Sequence, residues 1–184
     1  MSSSIVRRGG WAGVAAAVMY VLAGFLILTA PPQGVFSSLS EISLIMAFAV
    51  TLVVIAGLHA LQRGRYGRLG AVGSLVAFIG YALIVLVAAV AVLVGDEALF
   101  AVRLIAALVV LIGSVLLGAM TLRARVLPWW CGVLLIVGFP LGAILDENVA
   151  RGSEEIVLGI VWGLVGYTLL SSGSALDQQH GRLG

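Results

Sequence analysis

Residues 69–94 read LGAVGSLVAFIGYALIVLVAAVAVLV, twenty-six positions without one charge. About 20 apolar residues in an α-helix cross the roughly 30 Å hydrocarbon layer of a bilayer. This stretch therefore predicts a membrane-spanning helix. Working outward, five further stretches meet or approach the same length and character: 11–30, 42–61, 99–122, 128–145 and 155–172. The links between them are short, which predicts antiparallel neighbours joined as three consecutive helical hairpins. The expected fold is all-α, a polytopic transmembrane bundle of six helices. Residues 1–172 form one domain in this reading, and 173–184 form a short, flexible polar tail. The first stretch follows Arg7 and Arg8 like a signal peptide, but its length and the lack of a small-residue cleavage site before Pro31-Pro32 predict a retained helix.

Composition gives the same answer and excludes several functions. The chain has 184 residues, 62% hydrophobic and 10% charged, with a mean hydropathy of +1.21. Soluble domains carry roughly 25% charged residues, so a water-facing surface is lacking. All ten basic residues are arginine, which removes Schiff-base chemistry and the lysine of a phosphate-binding P-loop. The single cysteine, Cys131, forms neither an intrachain disulfide nor a paired-cysteine motif. Two histidines, His59 and His180, are too few for a His-rich metal site. No cofactor, metal or nucleic-acid partner is expected.

Arginine placement sets the expected orientation. Threading six spans puts Arg7, Arg8, Arg63, Arg65, Arg68, Arg123, Arg125 and Arg182 on one side, leaving only Arg103 and Arg151 on the other. The positive-inside rule makes the first side cytoplasmic, with both termini there and the bacterial inner membrane as the location. Acids divide the opposite way: Glu41, Asp96, Glu97, Asp146, Glu147, Glu154 and Glu155 fall in the outer loops, and Asp177 alone lies inside. Local helix chemistry accounts for many of them. Ser38-Leu39-Ser40-Glu41 reads as a capping box, Asp96 as an N-cap with Glu97 in the first turn, and Ser153-Glu154-Glu155 as a third such start.

Arg8-x-Gly10-x-x-Gly13 returns as Arg68-x-Gly70-x-x-Gly73, sixty residues later, which raises the question of duplicated hairpins. Small residues four apart at Gly9/Gly13, Ser114/Gly118, Gly138/Gly142 and Gly159/Gly163 predict close helix contacts. Most are expected inside the bundle, with Gly159 and Gly163 as the candidate dimer face. The stretch from Leu58 through His59, Gln62, Arg63, Arg65 and Arg68 to Gly70, with Leu122 to Trp130, resembles small six-helix membrane proteins of uncharacterised function from high-GC bacteria. The resemblance implies the same topology and no substrate, cofactor or catalytic residue.

Buried charge in hydrocarbon is costly, so ionisable residues inside spans are the first functional candidates. Only Arg103 and His59 qualify. Arg103 has two readings: snorkelling to the surface or pairing with an outer acid, or aiming its guanidinium inward to hold a carboxylate or phosphate. His59 has no nearby acid on the inner side to orient it and reads as interfacial. No carboxylate lies centrally in any span, which argues against ordinary proton-driven transport. Gly138-Phe139-Pro140-Leu141-Gly142 predicts a kink in helix five. Trp162 and Tyr81 sit near mid-span, away from the interfacial belt that Trp11, Trp129 and Trp130 occupy. With Pro140 they are expected to border an apolar mid-membrane cavity. No nucleophile–base pair or carboxylate pair is visible, so the chain is not expected to be an enzyme. The expected role is a scaffold that binds or moves a lipophilic or amphiphilic small molecule. A helix-packing subunit of another membrane protein, or a homodimer without its own ligand, is the alternative.

Overall fold

The structure is a computed structural model that describes residues 3–29, 35–65, 67–94 and 99–181. Among these it is all-helical, with no strand. The helices are α1 (Ser3–Thr29), α2 (Val35–Gln62), α3 (Gly67–Val94), α4 (Phe100–Ala124), α5 (Trp129–Asn148) and α6 (Ser153–Gly181). Each is long and apolar enough to cross a membrane, the shortest being α5 at 20 residues. Large apolar side chains such as Phe25, Leu75, Leu86, Ile105, Ile112 and Ile144 stand exposed around the bundle. Lipid is the solvent that such a surface suits.

Consecutive helices run antiparallel and touch, and α6 closes the ring by packing along α1. Glycine decides how close each pair comes. A Cβ built on Gly13 would lie 2.5 Å from the Gly166 Cα, and one on Gly9 would lie 2.8 Å from the Gly57 Cα. Helix α1 is thereby locked backbone to backbone against α6 on one side and α2 on the other. Gly113 meets Ala77 between α4 and α3, and Gly118 meets Gly132 between α4 and α5. Such small-residue contacts replace the hydrophobic driving force that lipid cannot supply.

Several expectations need correction. Helix α2 starts at Val35, so Ser38 and Glu41 lie inside it, and the Ser40 hydroxyl donates to the Ser37 carbonyl at 2.7 Å. Helix α4 starts at Phe100 with Leu99 at its N-cap and no side-chain cap; Asp96 and Glu97 lie outside the described residues. Glu154 and Glu155 do occupy the first turn of α6. Gly159 packs on Ala17, Tyr20 and Val21 of α1, and Gly163 on Ala17. That stripe is an internal contact and leaves no dimer face there. The repeated arginine–glycine motif is not echoed in packing either: Gly13 meets α6, whereas the corresponding Gly73 meets Leu116 of α4. Helix α6 runs on through residues 173–181, beyond the expected start of a flexible tail.

Three links use left-handed backbone, and at the α2–α3 link it is Gly67 with φ +63°. Gly152 has φ +90° and sits against the Gly24 carbonyl, where a side chain would collide. Arg125 ends α4 with φ 51°. Seven of the exposed arginines, 7, 8, 63, 65, 68, 123 and 125, gather at one end of the bundle. Glu41, Asp146, Glu147, Glu154 and Glu155, with Arg103 and Arg151, gather at the other. These are called the arginine end and the acidic end below.

Gly13→Val should force α1 from α6 and lower the unfolding free energy by about 1–3 kcal/mol, the range for overpacking a tight contact. Gly64 has nothing within 4 Å, so Gly64→Ala should change little. Thermal unfolding in detergent, followed by circular dichroism, checks both.

Candidate functional site

All six helices contribute to one cavity of about 790 Å³ at the acidic end. Leu26 and Ile27 of α1, Leu44 and Ile45 of α2, Ile84 and Ala88 of α3 and Ala107 of α4 make its walls apolar. Its polar lining comprises Glu41, Arg103, Arg151, Glu154 and Glu155, with Ser37, Ser38 and Ser40 beside them. Phe48, Phe139 and Leu158 line its deepest part. Phe48 lies thirteen positions into α2, about 20 Å along the helix at 1.5 Å per residue. The cavity therefore reaches about halfway across the bundle. Its volume falls in the roughly 300–1,000 Å³ range of small-molecule sites.

Beneath it an aromatic tier crosses the bundle. Tyr20 of α1 meets Phe48 of α2 edge to face, with ring centroids 5.4 Å apart. Phe48 meets Tyr81 of α3 at 5.8 Å, and Tyr81 meets Trp162 of α6 at 5.7 Å, again edge to face. Edge-to-face contacts at this spacing are favourable beyond simple burial. Trp162 and Tyr81 are each 1% exposed. A space of about 10 Å³ lies beside them, lined by Ser114, Leu135 and Phe139 as well. That is the size of one water molecule.

The expected mid-membrane cavity bordered by Trp162, Tyr81 and Pro140 is thus corrected. The two aromatics are packed into the floor, and the open volume lies above them toward the acidic end. Pro140 is half-buried, lines neither space, and sits within an α5 that is helical without interruption from Trp129 to Asn148. Its neighbour Phe139 is the residue that reaches both the cavity and the floor. Arg103 does line the cavity. His59 is half-buried near the arginine end, remote from it.

Several contributors were not foreseen. Glu154 and Glu155 read from sequence as ordinary helix starts, yet both line the cavity. Asp146 accepts from the Gly152 backbone N–H at 2.6 Å and so fixes the α5–α6 link beside them. Gly142 packs against the Glu154 backbone, which brings the first turn of α6 close to α5. The Glu155 Oε2, the Tyr20 hydroxyl and the Trp162 Nε1 are buried without a hydrogen-bond partner. Among the described residues no three His, Cys, Asp or Glu side chains converge to hold a metal ion.

The arginine end is closed. Gln62, 0% exposed, donates through Nε2 to the Thr121 Oγ1 at 3.1 Å, joining α2 to α4. The Thr121 hydroxyl in turn donates to the Leu117 carbonyl at 2.8 Å. Across α5 and α6, the Cys131 Sγ and Thr168 Oγ1 lie 3.6 Å apart. Gln62 is a neutral amide and so carries no charge to mark it in the sequence. Compared with known protein families, curated proteins and solved structures, the chain matches none.

Thr121→Val should leave the buried Gln62 amide with a lost partner and destabilise the bundle by about 1–3 kcal/mol, the usual effect of stranding a buried polar group. Replacing both, Gln62→Leu with Thr121→Val, should recover much of that loss. A double-mutant cycle of unfolding midpoints measures the coupling; strict additivity would dismiss the link.

Proposed function

We propose that this protein binds a single amphiphilic molecule in the acidic-end cavity, with the polar group at the charged rim and the hydrocarbon part against the aromatic floor. The observation that carries the reading is the gradient within one space: charged side chains and serines with apolar walls above an aromatic bottom. Bilayer lipid surrounds the bundle, whereas this hollow runs inward and is lined by residues of all six helices. The closed arginine end supports binding from one side of the membrane only in this conformation. Any transfer across would need the aromatic tier and the Gln62–Thr121 contact to part. Recognition, rather than bond-making, suits a site whose charged groups are spread over α2, α4, α6 and the α5–α6 link.

In this reading the arginine end faces the cytoplasm of a bacterial cell and the cavity opens outward, because arginine-rich loops are retained inside. In a Cys131→Ser background, Ser38→Cys, exposed at the cavity, should react with a membrane-impermeant maleimide added to intact cells. Ser174→Cys, exposed near the other end of α6, should react only after the cells are opened. The reverse pattern would invert the topology.

Occupancy is testable without knowing the natural ligand. With Trp11, Trp129 and Trp130 replaced by Phe, Trp162 is the sole tryptophan and is shielded from surrounding detergent. An alkyl maltoside brominated at the tail end should quench it saturably, because Phe139 and Leu158 border both the cavity and Trp162. Ala88→Phe and Ala107→Phe, which fill the cavity, should abolish the saturable quenching. Ala89→Phe, on the exposed face of α3, should leave it intact. Equal quenching in all of these would end the reading.

A further inference from the structure

The cavity holds charges of both signs, and they belong to different elements. Arg103 projects from α4 and Arg151 from the α5–α6 link, while Glu154 and Glu155 occupy the first turn of α6. Glu155 is the more telling carboxylate, since it lines the cavity and its Oε2 is buried without a hydrogen-bond partner. A buried acceptor left unmatched is unfavourable, and a carboxylate more so than a neutral oxygen. The first turn of α6 offers no N–H to that oxygen. A ligand that brings its own N–H donors would relieve the deficit. The guanidinium groups at the same rim present donors to an anionic group, for which arginine's planar fork is well shaped.

Each single-sign amphiphile meets a conflict here. A cationic one places its charge beside two arginines, and an anionic one beside three glutamates, Glu41, Glu154 and Glu155. A ligand with an ammonium and an anion a few bonds apart satisfies both sets at once. A trimethylammonium group has the charge but no N–H to donate, so it cannot complete Glu155.

Resting on the amphiphile-binding reading, we propose that the cavity selects zwitterionic amphiphiles bearing a primary ammonium. Glu155, supported by Glu154, receives the ammonium. Arg103 and Arg151 receive the neighbouring phosphate or carboxylate. The tail descends between Ile84 and Leu44 to the floor at Phe48. Two sources share this chemistry: a phosphoethanolamine headgroup and an acylated diamino acid.

The test is displacement of the brominated maltoside from the Trp162 site by single-tailed competitors of equal chain length. Lysophosphatidylethanolamine should displace it at concentrations roughly tenfold below lysophosphatidylcholine, the factor carried by one charge-assisted hydrogen bond. Lysophosphatidylglycerol and an alkylamine, each carrying one sign, should be weaker than lysophosphatidylethanolamine by at least the same factor. An N-acylornithine distinguishes the sources. If it outcompetes lysophosphatidylethanolamine, the anion recognised is a carboxylate; if it is the weaker, a phosphate. Both outcomes support the zwitterion claim provided that the winner exceeds the choline lipid. Glu155→Gln should erase the ethanolamine-over-choline preference, read as the ratio of the two displacing concentrations in that variant, whereas Ala89→Phe, on the exposed face of α3, should keep both the preference and the maltoside quenching. Arg151→Gln, at an exposed position, should weaken both zwitterions about tenfold relative to the alkylamine, which brings no anion for the guanidinium to meet. Equal displacement by all headgroups would overturn the headgroup inference and leave the amphiphile reading standing. Absence of saturable maltoside quenching would overturn both.

Discussion

The architecture depends on where backbones can touch. Helix α1 meets α2 and α6 through glycine on glycine, at Gly9–Gly57 and Gly13–Gly166, and α3 meets α4 where Gly113 faces Ala77 and Gly80 faces Val110. Lipid tails are as apolar as leucine, so helix association in a bilayer relies on such close van der Waals contact. Among the glycines whose surroundings are described, none pairs α2 with α3. Their short link at the arginine end holds them there, and their other halves are free to stand apart. The cavity occupies that interval, lined by Leu44 and Phe48 of α2 and by Ile84 and Ala88 of α3.

From this separation follows a polarity along the membrane axis. The arginine end is sealed by glycine contacts and by the buried Gln62–Thr121 bond, and the aromatic tier of Tyr20, Phe48, Tyr81 and Trp162 forms a partition at mid-depth. Above that partition the same helices present apolar walls and then charges of both signs. The four rings come from α1, α2, α3 and α6, so the floor ties together the elements that the cavity otherwise separates. Phe139 of α5, beside Pro140, completes it. Charges that serve a helix start in local terms, such as Glu155 in the first turn of α6, also line the cavity because of where the bundle places them.

Six spans and the segregation of arginines from acids were legible in the sequence, because hydrocarbon thickness and interfacial charge act on each segment separately. The ring closure was not. Which helix α1 prefers depends on Gly13 finding Gly166, a pairing 153 positions apart that small-residue spacing alone does not reveal. Gly159 and Gly163 carried a sound signal for close packing with the wrong neighbour assigned. Trp162 and Tyr81 were rightly set apart as mid-span aromatics, but a ring displaced from the interface lines a void or fills one with equal ease. Their mutual edge-to-face geometry decides that they fill it. Arg103 was visible as a charge within a span, whereas Glu154 and Glu155 were hidden by a plain helix-start explanation that accounts for their place in the first turn of α6, although the Ser153 hydroxyl donates to the Ala150 carbonyl and does not cap the helix.

The central claim is that the acidic-end cavity exists to be occupied. An experimental structure of the protein in lipid nanodiscs tests this most directly. The account predicts elongated density running from the rim beside Arg103 and Glu155 down between Ile84 and Leu44 to Phe48, with the aromatic tier closed beneath it. A bundle in which the α3–α4 hairpin has moved inward against α2 and α6, leaving Glu155 paired with an arginine and no interior space, would contradict it.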